Sequence, residues 1–219
     1  MLKKKLQNIP IEELANTITH GFGLALSVAG FAFLVILAGI KGDFWHILSS
    51  VIYGSSLVTL YAASTFYHGA SSPQLKYKLQ IVDHCCIYLL IAGSYTPFSL
   101  IVLQGTFANI LLAFFWIFAL VGILLKIFFF QRFPIASVIS YIVMGWIGIL
   151  AIEPLFAAIG FAPIALIIAG GIAYSLGVIF FAWEKLYHNH AIWHLFVLTG
   201  SICHYLAVAL YVIPYSANL

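Results

Sequence analysis

Residues 162–182 read APIALIIAGGIAYSLGVIFFA, twenty-one consecutive positions without a charge. At about 1.5 Å per residue, such a run crosses the roughly 30 Å hydrocarbon core of a bilayer as one helix. Comparable runs lie on either side of it along the whole chain. The spans expected are Thr17–Ile40, Trp45–Tyr67, Ile81–Leu103, Phe107–Ile127, Pro134–Glu153, Ala162–Ala182 and Ala191–Tyr211. Lipid offers a backbone N–H or C=O no partner, so each span has to satisfy its own polar groups as a helix. Alternating ten-residue barrel strands are absent. The expected fold is all-α, a polytopic seven-transmembrane helix bundle forming a single membrane domain over residues 1–219.

Composition agrees. The chain is 64% hydrophobic and 7% charged, against roughly 25% charged in soluble domains, which excludes a water-soluble protein. The formal charge of +3 does not point to nucleic acid, because the nine basic residues are scattered through short loops and form no basic face. Cys85 and Cys86 are adjacent and Cys203 lies in an apolar run, so no disulfide framework follows and small buried hydrophobes is the reading. Lys3-Lys4-Lys5 before the apolar run from Gly21 to Ile40 resembles a secretory signal, but the run is too long and further hydrophobic segments follow it. It is read as the first span.

Cytoplasmic loops retain Lys and Arg, so the basic residues report orientation. One side receives Lys3, Lys4, Lys5, Lys76, Lys78, Lys126, Arg132 and Lys185, and the other only Lys41. The N-terminus is expected in the cytoplasm and the C-terminus outside. Pro134 and Pro163 fall in first helical turns, where a missing N–H costs nothing. Pro97 falls inside the third span and should kink it, with Ser94 or Thr96 available to the freed carbonyl. Gly145, Gly148, Gly170, Gly171 and Gly177 are expected to permit close helix packing.

The ionisable residues are not spread evenly. Glu13, Asn16 and His20 open span one, Ser64 and His68 close span two, Asp83 and His84 open span three, and His188, His190 and His194 open span seven. All fall at the cytoplasmic level, and intramembrane polar residues are functional candidates. His190 and His194 are spaced i, i+4, so both imidazoles leave one helix face and can reach one metal ion, although the same spacing also suits an interfacial pair. Ser64 and His68 share that spacing and bring a third imidazole with a hydroxyl one turn behind it. Three histidines with an open fourth position form the ligand set of a catalytic zinc site.

Asp83 reads either as a cap on span three, as a general base, or as a fourth ligand. His84 points about 100° away and reads as packing or interfacial. Glu13, Asn16 and His20 share a helical face and either orient ligands through hydrogen bonds or cap the first span. His204 lies about 15 Å deeper than His194 and needs a partner of its own. His46 and Glu153 belong to the outer interface.

Glu13-x2-Asn16-x3-His20-Gly21, Ser64-x3-His68, Asp83-His84, Ser94-Tyr95-Thr96-Pro97 and His190-x3-His194 stand in this order over nearly the whole chain. With them the sequence resembles the hemolysin III proteins, the bacterial branch of the progestin and adiponectin receptor superfamily. The resemblance implies seven helices with a cytoplasmic N-terminus and a zinc ion held at His68, His190 and His194. It places Asp83 near a zinc-bound water and Ser64 close by. It implies hydrolysis of lipid amides or esters, and the bacterial branch is also linked to membrane fatty-acid homeostasis and carries an old cytolysin name.

The leading expectation is therefore a zinc-dependent hydrolase of membrane lipid, with Asp83 and Ser64 as catalytic residues and a lipid entering laterally between helices. The alternative is a non-catalytic sensor or regulator of lipid homeostasis, in which a structural zinc ties spans two, three and seven together. A pore-forming cytolysin ranks last, because the polar groups gather at one end instead of lining a path. A proton-coupled transporter through His204 has that one deep histidine behind it. Membrane lipid is the expected substrate or ligand, with no nucleic-acid or protein partner.

Overall fold

Helix formation follows the hydropathy pattern but overruns it at the ends. A computed structural model describes residues 11–130 and 132–215, so Lys3, Lys4 and Lys5 lie outside the described residues. The α-helices are α1 (Ile11–Lys41), α2 (Phe44–Gly69), α3 (Pro73–Pro97), α4 (Gly105–Phe129), α5 (Pro134–Trp146), α6 (Ile152–Ile159), α7 (Phe161–Ala182) and α8 (Asn189–Ala207). A wide π turn, Phe98–Val102, prolongs α3, another, Val208–Val212, prolongs α8, and a tight 3-10 segment, Ile147–Ala151, joins α5 to α6. Among the described residues they make seven segments long and apolar enough to cross a membrane, so the chain is an all-α integral membrane protein.

Neighbours in sequence pack side by side through α4, α7 packs along α8, and α1 lies against α8 and closes the ring. The fifth span, α5 with α6, is the most sparsely packed. The outward surface is apolar, with Phe128 70% and Ile135 74% exposed, as lipid contact demands. The interior is filled by Leu34, Tyr53, Tyr61, Phe115 and Met144.

Two helices begin well below the apolar core. α1 is already helical at Ile11, the first described residue, against an expected Thr17, and α3 starts at Pro73, against an expected Ile81. Pro73 sits in the first turn after Ser72, where its fixed φ favours helix and its absent N–H has no intrahelical partner to lose. Asp83 therefore stands about three turns inside α3, and its reading as a helix cap is overturned.

The fifth span runs beyond Glu153 to Ile159. Pro154 explains its irregularity. A proline in a helix interior removes a hydrogen bond and clashes with the preceding turn. The 3-10 segment lets a new helix start at Ile152, which places Pro154 in a first turn whose N–H groups have no intrahelical partners. Tyr95 braces the joint: its hydroxyl donates to the Gly145 carbonyl and accepts from the Gly148 N–H at 3.2 Å, while its ring stacks on Phe115 at 3.7 Å.

Pro97 is accommodated by the π turn, in which the Leu103 N–H donates to the Phe98 carbonyl at 2.8 Å. Neither hydroxyl serves the carbonyl that Pro97 frees, that of Gly93: Ser94 donates to Ile91 and Thr96 to Ala92. Among the glycines, Gly148, Gly170 and Gly177 admit the side chains of Tyr95, His204 and Trp193, and Gly171 meets Trp146. Gly145 is a correction, because nothing lies within 4 Å of where its Cβ would be. Its carbonyl, taken by Tyr95, is what the structure uses.

At the opposite end from the histidine cluster, Asp43 caps α2. Its carboxylate accepts from the N–H groups of Trp45 and His46, and the His46 ring returns to Asp43 and reaches the Tyr215 carbonyl at 3.1 Å. His46 is thus a capping residue that ties the start of α2 to the end of the last span.

Candidate metal centre and its cavity

Three imidazoles arrive from two helices. His68 lies in the last turn of α2, and His190 and His194 lie in the first two turns of α8, whose start is set by His188 in the left-handed region at φ 58°. One ring nitrogen from each of His68, His190 and His194 falls within 4.8 Å of the others. Tetrahedral ligands about 2.0–2.1 Å from zinc stand about 3.3 Å apart, so the three rings would draw closer together around a bound ion. The ring centroids are 4.6 to 5.0 Å apart and the planes are inclined by 60 to 70°, so the rings converge instead of stacking.

The hydrogen bonds around the rings decide which nitrogens are free. Glu13 Oε2 accepts from His68 Nδ1 at 2.7 Å, and Lys76 Nζ donates to the same oxygen at 2.9 Å. That fixes the His68 tautomer and leaves Nε2 with its lone pair, buried and without a hydrogen-bond partner among the described residues. The Thr19 hydroxyl gives its proton to backbone carbonyls, of Ala15 at 2.9 Å and Asn16 at 3.0 Å. Toward His194 Nδ1, 3.1 Å away, it therefore accepts, which again leaves Nε2 as the free lone pair. Two preset imidazoles and a third beside them fit a divalent ion that prefers nitrogen ligands. The cluster can hold a metal ion.

His20 stacks on His194 at 3.5 Å and hydrogen-bonds Ser64 Oγ through Nδ1 at 2.6 Å, and its Nε2 is buried without a partner among the described residues. Ser64 also faces the Asp83 carboxyl. Asn16 is buried beside them with its amide oxygen unpartnered among the described residues. The structure thus gathers Glu13, Asn16, His20, Ser64, His68, Asp83, His190 and His194 at one end of the bundle. His84 stays outside the ligand cluster, with its ring 5.1 Å from that of Phe130. Cys85 and Cys86 are buried free thiols.

Thr19 and Lys76 were not singled out from the sequence. Thr19 carries a usable signal, three residues after Asn16 on the histidine-bearing face of α1. Lys76 counted there only as a cytoplasmic charge, and its pairing with Glu13 joins two helices that are distant in the chain.

A cavity of about 1340 Å³ opens from this cluster, larger than the roughly 300–1,000 Å³ of pockets for drug-sized ligands. His20, Ser64, Asp83, His190 and His194 line one end, and apolar side chains such as Leu103, Leu155 and Ile164 line the other, with His204 along the wall. His204 presses on Gly170 and has its ring 5.7 Å from that of Tyr174. The shaft borders the sparsely packed fifth span along its length.

Comparison with known proteins accords with this architecture. The family model described as "Haemolysin-III related" matches residues 9–205. The "Hemolysin-3 homolog" of Bacillus subtilis (strain 168) is 47% identical over 200 residues, covering 91% of this chain and 94% of its own. "Hemolysin-3" of Bacillus cereus is 48% identical over 203 residues, covering 93% of each. The human "Monocyte to macrophage differentiation factor" is 31% identical over 205 residues, covering 90% of this chain and 83% of its own. With a matched segment that covers all of α1 and reaches nearly to the end of α8, the chain belongs to the haemolysin-III family.

Proposed function

We propose that the protein is a zinc-dependent hydrolase of membrane lipid amides or esters. The observation that carries this reading is the convergence of His68, His190 and His194 with Ser64 and Asp83 at the head of a long apolar cavity. His68, His190 and His194 hold the ion, and Glu13 and Thr19 keep two of those rings in register. A zinc ion bound there would supply Lewis acidity, which polarises a carbonyl and lowers the pKa of water toward neutrality. Asp83 takes a proton from the attacking water, and the Ser64 hydroxyl donates to the carbonyl oxygen of the substrate. The apolar shaft receives the acyl chain and excludes water from it, with entry from the bilayer beside the fifth span.

The seven spans act as one membrane domain. Lys76, Lys78, Lys126, Arg132 and Lys185 stand at the histidine end and Lys41 at the other, which supports a cytoplasmic site, a C-terminus outside and residence in a bacterial plasma membrane.

The second reading is a non-catalytic sensor of membrane lipid with a structural zinc, in which a fourth protein ligand closes the open position. His20 has a buried Nε2 without a partner among the described residues, but its ring stacks on His194 and lies outside the converging set, so it would have to turn off that ring to reach the ion. A cytolytic pore has the least support, since the far half of the cavity is lined by apolar side chains.

The test compares bound metal and cleavage of lipid amides and esters by the purified wild type and by the double variant His190→Ala, His194→Ala. Zinc bound to wild type and lost with cleavage in the variant is expected. Equal zinc in both overturns the site. Zinc loss from the variant, with no cleavage by the wild type, favours the sensor.

A further inference from the structure

A lysine in the last turn of a membrane helix ordinarily extends its stem to put the ammonium in water. Lys126, at the end of α4, instead turns inward and is only 4% exposed. Its Nζ lies 5.1 Å from the centre of the Phe130 ring. The ion pairs among the described residues are His46–Asp43, His68–Glu13 and Lys76–Glu13, and none involves Lys126. A buried ammonium is costly unless a counter-charge accompanies it, and a ring face offsets only part of that cost.

A second polar group flanks the same ring. The His84 ring, on α3, is 5.1 Å from Phe130, and its Nδ1 is buried without a hydrogen-bond partner among the described residues. Gln80 precedes His84 by one helical turn, and Gln80, His84, Lys126 and Phe130 all line the cavity that holds Asp83 and His190. The carboxylates on that wall turn elsewhere: Asp83 faces Ser64, and Glu184 is exposed. An ammonium, an imidazole N–H and an amide N–H are all donors, and together they suit an oxyanion.

We propose that Lys126, with His84 and Gln80, forms an oxyanion subsite at the polar end of the cavity, which binds the phosphate or carboxylate of an anionic lipid while its acyl chain occupies the apolar shaft. The proposal rests on the reading above that the cavity takes lipid, and it is independent of hydrolysis. The phosphate would come from a phospholipid head group and the carboxylate from a free fatty acid.

The test measures binding of three ligands with the same sixteen-carbon chain to the purified full chain: palmitate, palmitoyl lysophosphatidic acid and hexadecanol. Wild type is compared with Lys126→Met, Lys126→Arg and His84→Ala at equal metal content. Wild type should bind at least one anion about tenfold or more tighter than the alcohol, the scale of a charge-assisted hydrogen bond. Lys126→Met should remove that preference and leave hexadecanol binding unchanged, which also shows that the variant is folded. His84→Ala should reduce the preference and Lys126→Arg should keep it. The anion that loses affinity identifies phosphate or carboxylate as the group recognised. Hexadecanol binding with no anion preference in wild type, or a preference that survives Lys126→Met, overturns the subsite and leaves the cavity reading intact. Failure of all three ligands to bind wild type removes the cavity reading and the subsite with it.

Discussion

The Nδ1 of His68 and the Oε2 of Glu13 are 2.7 Å apart, although 55 residues separate them in the chain. The carboxylate holds the imidazole so that Nε2 faces the other two histidines, and Lys76 holds the carboxylate in turn. Removing the charge while keeping the shape tests this arrangement. Glu13→Gln should weaken zinc binding about 10- to 100-fold, the usual cost of losing a partner behind a ligand, and Thr19→Val should have a smaller effect through His194. Competition with a chromogenic chelator measures both, and unchanged affinity in Glu13→Gln would show that the contact does not position the ring.

Metal bound only by the folded chain stabilises it by mass action, by about 2.7 kcal/mol at a hundredfold excess over Kd. Stripping the wild type with a chelator should therefore lower its melting temperature by several degrees. His68→Ala should melt low already and respond little to the same chelator. A wild-type protein whose melting ignores both added zinc and chelator would carry no folded-state metal site.

Tyr61 donates to Ser201 at 2.8 Å and meets the His20 ring edge-on at 5.1 Å, so its ring has little room to retreat. A Cβ on Gly23 would come within 2.5 Å of that ring. Gly23→Ala is expected to destabilise the protein by about 1–3 kcal/mol, the range for overpacking, and to disturb the His20 stack on His194. Gly39→Ala is the matched control, because nothing lies within 4 Å of its Cβ position. Thermal melts of the two variants should differ accordingly.

Asp43 lies between α1 and α2, and the hydrogen bond from His46 holds its carboxyl below the ordinary carboxylate range, with the N–H groups of Trp45 and His46 adding to the effect. A lowered folded-state value means that the stabilisation is fully present above the ordinary carboxylate pKa and is lost as pH falls through the lowered one. Asp43→Ala should cost about 0.5–1 kcal/mol at neutral pH, the low end for an N-cap because the site is exposed. The gap between wild type and variant should close in acid. A gap that stays constant from neutral pH to about pH 2 would rule out the carboxylate as its source.

Hydropathy alone was enough to identify seven crossings, because a backbone in lipid has no alternative to the helix. The i, i+4 spacing of His190 with His194, and of Ser64 with His68, made most of the cluster readable before any coordinates. Hydropathy is silent on polar turns, so it does not reveal that α1 is helical from Ile11 and α3 from Pro73, and of the three readings open to Asp83 only the cap falls, because the residue is interior to α3. Pro154 was available as a signal for the break in the fifth span, but only packing against Tyr95 shows how the break is braced. The inward turn of Lys126 depends on the rotamer and its neighbours, and the sequence shows only a basic residue near a helix end.

The closure of the ring by α1 against α8 has a consequence for biogenesis. The orienting carboxylate emerges from the ribosome first, His68 next, and His190 and His194 only with the last span. A nascent chain arrested before that span carries one of the three histidines, so a metal held at this cluster would be captured only after α8 has been made, and a cell could use it to distinguish chains that carry α8 from those stalled before it.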